Sequence, residues 1–240
     1  QIYFQFGTTQ EQLEFSRFPL GSLTKAETRQ IAEDLNLHVA KKQDSQDICF
    51  VPNGSYADVI SRLKPDAAEH GEIKHLDGTV LGTHKGIIHY TIGQRRGLGI
   101  SSAEPIYVVR LDAEKREVIV GPREALATEK VYLRDVNWLG TPGLDAIPEE
   151  GLPVYARLRS TRPPMPAILF ADSESVWCKL TEPQDGISPG QACVFYEDEN
   201  DDTRVFGGGW ITSTDQGSSS AIEATKALKQ NSVEDFLITQ

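Results

Sequence analysis

Cys49 is the side chain in this sequence whose surroundings best suit nucleophilic chemistry. Four polar residues, Asp44-Ser45-Gln46-Asp47, lead into Ile48-Cys49-Phe50-Val51, and Pro52-Asn53-Gly54 follows, the pattern of a loop around a short apolar run. A thiolate there could attack an electrophile or carry sulfur. The same four residues also fit a buried strand with cysteine as small apolar filler, and Asp47 opposes ionisation with no flanking cation to favour it. Cys178 and Cys193 sit inside Val176-Trp177-Cys178-Lys179-Leu180 and Ala192-Cys193-Val194-Phe195 and read as strand packing.

A second candidate is Thr91-Ile92-Gly93-Gln94-Arg95-Arg96-Gly97-Leu98-Gly99-Ile100, too polar for a strand interior. Its glycines allow close backbone approach, and Arg95 and Arg96 can grip phosphate bidentately. It lacks the Gly-Lys-Ser/Thr of a nucleotide-phosphate loop and the glycine spacing of a dinucleotide fingerprint, and a loop with solvated charges accounts for it equally. Arg157, Arg159 and Arg162 form another local basic cluster, with Arg157 and Arg159 expected on one strand face, either solvated or against an RNA backbone. Four of the five histidines lie between His70 and His89, yet neither His70/His75 nor His84/His89 has the spacing of a metal site. They are expected to be solvated hairpin residues.

The elements that carry these residues are mainly β. In 240 residues, 39% are apolar and 25% charged, an ordinary globular composition. Lys and Arg number 24 against 35 Asp and Glu, and the formal charge of -11 excludes bulk adhesion to nucleic acid or anionic membrane, so any RNA contact must be local. No apolar run approaches the roughly 18 residues of a spanning helix, and no leader opens the chain, so a soluble, cytoplasmic protein in a reducing compartment is expected. Residues 1–6 alternate like a strand. Helices are expected from Thr9 with Gln12 and from Thr24 with Glu27, each in capping-box spacing, and another from Ser55. From Glu72 the period becomes two. Asp77-Gly78 marks one hairpin, residues 112–115 turn a second between 106–110 and 117–120, and strands are expected near 130–138, 153–159, 166–171, 175–181, 190–196 and 204–211. Evenly spaced short strands point to a closed barrel or sandwich. Residues 213–220 read as a polar linker.

Several of these stretches occur together in one family. Asp44-Ser45-Gln46-Asp47-Ile48-Cys49-Phe50, Gly82-Thr83-His84-Lys85-Gly86, Tyr90 with residues 91–100, Pro105-Ile106-Tyr107-Val108-Val109 and Ser188-Pro189-Gly190-Gln191-Ala192-Cys193-Val194-Phe195-Tyr196 follow in the order seen in bacterial tRNA-specific 2-thiouridylases, which the chain resembles over about residues 1–211. The resemblance implies an enzyme that uses ATP to adenylate the C2 oxygen of the wobble uridine in certain tRNAs. A cysteine persulfide then delivers sulfur, leaving 2-thiouridine and AMP. By motif, Cys49 matches the family's second cysteine, the persulfide carrier. The first, which pairs with it in a disulfide, falls upstream of the residues present, as does the family's Ser-Gly-Gly-Val-Asp-Ser loop for ATP.

The implied architecture is a remnant of an α/β nucleotide domain over 1–52, a small central β domain over 53–121, a C-terminal β-barrel over 122–212 and a flexible tail over 213–240. The implied cofactor is ATP, bound in the complete enzyme, and the implied partners are tRNA and a sulfur-donor protein, with no membrane. Implied tRNA contacts fall on Gln1, Arg95, Arg96, Arg159, Ser160 and Gln191. Two departures stand out: Ile2 replaces the serine after the family's tRNA-contacting Gln, and Ser160 replaces the aromatic of an Arg-Tyr pair. The alternative is a non-catalytic RNA-binding β module, with a barrel used for protein contacts as a weaker third reading.

Overall fold

The computed structural model describes residues 2–42, 62–63, 68–199 and 203–218. Mainly β structure is observed, in two sheets. β1 (Gly71–His75), β2 (Val80–His84), β3 (Tyr107–Asp112) and β4 (Glu117–Gly121) form a four-stranded sheet in the order β2-β1-β4-β3. The hairpins at Asp77-Gly78 and at residues 112–115 are antiparallel, and β1 joins β4 in parallel. β5 (Ala127–Trp138), β6 (Leu152–Arg157), β7 (Met165–Ala171), β8 (Val176–Asp185), β9 (Ala192–Tyr196) and β10 (Val205–Thr214) close a barrel in the order β10-β5-β8-β7-β6-β9.

The barrel core follows from the two-residue period. Val131 and Leu133, Val154 and Ala156, Ala167 and Leu169, Cys178 and Leu180, and Cys193 and Phe195 are alternating pairs whose side chains meet in one buried cluster. β9 is buried on its other face too, because Tyr3 and Phe6 cover Ala192, Val194 and Tyr196. This cover corrects the expected strand at the N-terminus: Ile2–Gln5 is a 3₁₀ helix. Three residues per turn put Tyr3 and Phe6 on the same side, and Phe4 points outward, 75% exposed. The Tyr3 hydroxyl donates to the Ala192 carbonyl at 2.8 Å, and burial pushes its pKa up to about 12. The Asn137 side-chain amide donates to the Phe6 and Thr8 carbonyls at 2.8 and 2.9 Å, fixing the exit of the segment.

Beyond it, α1 (Gln10–Phe15) and α2 (Lys25–Asp34) have the expected capping boxes at Thr9/Gln12 and Thr24/Glu27 and bury no residue. Phe15, Phe18, Leu35 and Leu37 are exposed around them. Among the described residues no helix is long and apolar enough to cross a membrane. The helix expected from Ser55 falls mostly outside the described residues.

Two further expectations are corrected. Residues 213–218 are not a free linker: β10 runs to Thr214, and the Asp215 carboxylate accepts the amides of Glu129 and Lys130, both at 3.0 Å. Gly217 packs beside Leu76 and Val109 of the four-stranded sheet, so this segment ties the sheet to the barrel. His84 is not solvated but 2% exposed. Its Nδ1 accepts the Gly86 amide at 3.0 Å, which leaves the proton on Nε2 to donate to the Arg116 carbonyl at 3.0 Å. A Cβ on Gly71 would lie 1.8 Å from that carbonyl oxygen, so the contact requires glycine there. Burial, the largest influence, holds the His84 pKa below the usual imidazole value, and neighbouring His70 and His89 add to the depression.

Because the folded pKa is the lower one, the unfolded chain binds the proton first, and the stability contributed by neutral His84 is lost as pH falls below about 6.5 toward the folded value. His84→Gln should lower the urea midpoint at neutral pH and flatten its decline in that acid window. Parallel declines in both proteins would contradict the assignment.

Candidate functional site

The Gly/Arg loop is built to present its arginines. The Gly93 amide donates to the Val108 carbonyl at 2.8 Å and the Val108 amide to the Gln94 carbonyl at 2.9 Å, so the loop's first half pairs with β3. The Gln94 side chain braces the rest: its Oε1 accepts the Thr91 amide at 3.0 Å and its Nε2 donates to the Arg96 carbonyl at 2.9 Å. Gly93, Gly97 and Gly99 have φ of 86°, 75° and 70°, a backbone that other residues resist, and buried Leu98 anchors the far side in the sheet core. Arg95 and Arg96 are exposed between these anchors, and neither side chain has an ion pair or hydrogen bond among the described residues.

The arginines of the barrel behave differently. Arg157 ends β6, its guanidinium 5.8 Å from the Tyr3 ring centre and donating to the Ser160 carbonyl at 2.7 Å. Arg159 lies past the strand rather than on a shared strand face, and its guanidinium donates to the Gly186 carbonyl. Arg162 donates to Gln184 Oε1 at 3.1 Å. The cluster therefore fastens residues 157–162 to the segment leading into Ser188-Pro189-Gly190-Gln191. That segment is pinned in turn by β10: the Gly190 amide donates to the Ile211 carbonyl and the Ile211 amide to the Gln191 carbonyl, both at 2.8 Å. Gly190, at φ 84°, makes the turn, and the Gln191 and Ser160 side chains are exposed.

The segment divides two cavities. Ile187 lines one of about 310 Å³ with Arg159 and Arg162, and Ser188 and Pro189 line another of about 480 Å³ with Tyr90, Thr91 and Ile92. Two stretches nearly a hundred residues apart in sequence thus share one wall. Cys49 and Gln1 lie outside the described residues. Cys178 and Cys193 are buried free thiols, and burial, with a hydrogen bond to Cys178, pushes the Cys193 thiol well up, so it is no ready nucleophile. Sequence reasoning missed Tyr3 as the barrel's cover, Gln94 as the brace of its loop, and Gln216, which lines the larger cavity. Gln94 lay inside a motif already singled out. Gln216 lies in a polar Gly/Ser run with no signal of its own.

Three family models match successive parts of the chain: a tRNA methyl transferase HUP domain over residues 1–53, a tRNA methyl transferase PRC-barrel domain over 58–122, and an aminomethyltransferase beta-barrel domain over 128–211. The tRNA-specific 2-thiouridylases MnmA of Brucella ovis, Brucella canis and Brucella melitensis are each 60% identical to it over 211 residues, 88% of this chain and 53% of theirs. The chain spans about half the length of the curated relatives it matches. The family models and the relatives carry different reaction names, and 60% identity over 211 residues decides between them. The chain belongs to the family of tRNA-specific 2-thiouridylases.

Proposed function

We propose that this chain is part of an enzyme that thiolates C2 of the wobble uridine of certain tRNAs. The observation that carries the reading is the 60% identity to the MnmA proteins over 211 residues. Cys49 carries the sulfur as a persulfide. Adenylation by ATP turns the C2 oxygen into a leaving group, the terminal persulfide sulfur attacks C2, and AMP departs with the oxygen. Attack of a second thiol on Cys49 Sγ then breaks the S–S bond, leaves the sulfur on the base and forms a disulfide. The sulfur itself comes from a donor protein. The two buried barrel thiols support Cys49 as the carrier, since neither is placed to meet a donor.

The tRNA-holding surface consists of Arg95 and Arg96 on their braced loop and of Arg159, Ser160 and Gln191 at the barrel end, together with Gln1, which lies outside the described residues. Arg159 spends one N–H on Gly186, and a guanidinium has five, so others remain for phosphate. The exposed apolar side chains around α1 and α2 suit packing against more of an α/β nucleotide domain, where ATP would bind.

In the intact enzyme, Cys49→Ser should abolish 2-thiouridine, read by nucleoside mass spectrometry of tRNA, while tRNA affinity stays as in wild type. Retained 2-thiouridine would remove Cys49 from the chemistry and favour a non-catalytic RNA-binding module. Replacing Arg95 and Arg96 together by alanine should weaken tRNA binding and reduce the slope of log affinity against log salt by about 1.4–1.8, about 0.7–0.9 per lost phosphate contact. Superimposable salt curves would take both arginines out of the RNA surface.

A further inference from the structure

The cavity of about 480 Å³ between the four-stranded sheet and the barrel falls within the size range of ligand pockets, about 300–1,000 Å³. Its walls are apolar: Ile92 from the Gly/Arg loop, Val109 and Leu111 from β3, and Pro189 from the barrel segment. Hydroxyl groups of Thr91, Ser188 and Ser213 line it as well, and Arg110, exposed and without an ion pair among the described residues, supplies a cation. A β-bulge between Val108 and Arg110 shifts the register of β3 against β4 beside the cavity.

Gln216 gives the cavity its specificity. Both polar atoms of its side-chain amide are shielded from water, and neither has a hydrogen-bond partner among the described residues. Buried polar groups are nearly always paired, so a shielded amide with both its donor and its acceptor unused marks a place for a partner. A hydrocarbon would suit the walls and leave the amide unpaired. A lone phosphate would use Arg110 and waste the apolar walls. A flat ring with a donor–acceptor edge, attached to a hydroxyl-bearing sugar and a phosphate, uses all three features, and a glutamine amide pairs well with such an edge.

We propose that this cavity receives one unstacked nucleotide of the bound RNA, its base between Ile92 and Pro189 with its edge on the Gln216 amide and its phosphate at Arg110. The assignment rests on the tRNA reading above and adds a nucleotide pocket to it. Pairing with the base requires the Gln216 amide, shielded from water here, to turn about its side-chain torsions while its backbone stays fixed. The hydrogen bonds of Asp215 to the Glu129 and Lys130 amides hold the backbone of this segment beside the cavity.

The test uses the intact protein, unmodified tRNA transcript, and the free nucleotides AMP, CMP, GMP and UMP as probes. Because the Gln216 side chain makes no hydrogen bond among the described residues, Gln216→Ala should leave the melting temperature unchanged or raise it while weakening tRNA binding about tenfold. Arg110→Ala should weaken it as well and make the salt slope shallower by about one contact, roughly 0.7–0.9. Wild-type protein that does not bind tRNA would overturn the tRNA reading itself. Wild type that binds tRNA, with both variants binding equally well, would overturn the pocket alone. A free nucleotide bound in a Gln216-dependent way, with tRNA affinity indifferent to Gln216, would overturn the RNA assignment in favour of a free-nucleotide site.

Discussion

Closure of the barrel by β10 is the constraint on which the rest of the structure depends. This strand must pair with β9 on one side and β5 on the other, and its backbone comes closer to both than a side chain permits. A Cβ at Gly207, where φ is 125°, would lie 2.0 Å from the Asn137 carbonyl oxygen, and one at Gly208 would lie 2.4 Å from that of Cys193. Three glycines in a row weaken a strand in isolation, and here they are what lets the barrel shut. From this strand the functional parts are hung. Trp210 packs edge-on against Phe6 at 5.2 Å between ring centres, Ile211 holds the Gly190-Gln191 turn, and the residues after Ser213 bind the sheet. One strand therefore sets the positions of the N-terminal cover, the barrel-end segment and the cavity between the sheets.

Electrostatics bears on how an acidic chain would serve the RNA of the proposed function. At physiological salt, charges act over roughly 8 Å, so a formal charge of -11 spread over the surface does not decide what happens at one loop. The arginines divide into two kinds. Arg157, Arg159 and Arg162 are engaged with backbone or side-chain oxygens of the barrel and act first as fasteners. Arg95 and Arg96 are held outward by the Gln94 brace and have no internal partner among the described residues, which is the arrangement that serves an external phosphate at least structural cost.

The strands were legible in the sequence because their inward residues alternate without interruption, as at Val131/Leu133 and Cys193/Phe195, and because Asp-Gly at 77–78 names its turn. Both early helices were legible from their capping boxes. What escaped depends on contacts distant in sequence. The alternation of residues 1–6 suggests a strand until β9 supplies a surface that selects Tyr3 and Phe6. His84 looks like a solvated hairpin histidine until the Arg116 carbonyl reaches it from 32 residues away. Gln216 carries no local signal, since its meaning comes from a cavity made by two sheets. Cys49 is ambiguous by its neighbours alone, and its proposed role comes only from the resemblance of the longer motif around it.

The most direct test of the central claim follows sulfur itself. The intact protein is loaded by its sulfur donor, digested under non-reducing conditions and mapped by mass for Cys49, Cys178 and Cys193, before and after addition of tRNA and ATP. The account predicts one added sulfur on the Cys49 peptide, none on the other two, and its disappearance as 2-thiouridine forms. Sulfur on Cys178 or Cys193 instead, or a Cys49 persulfide that persists while thiolation proceeds, would contradict it.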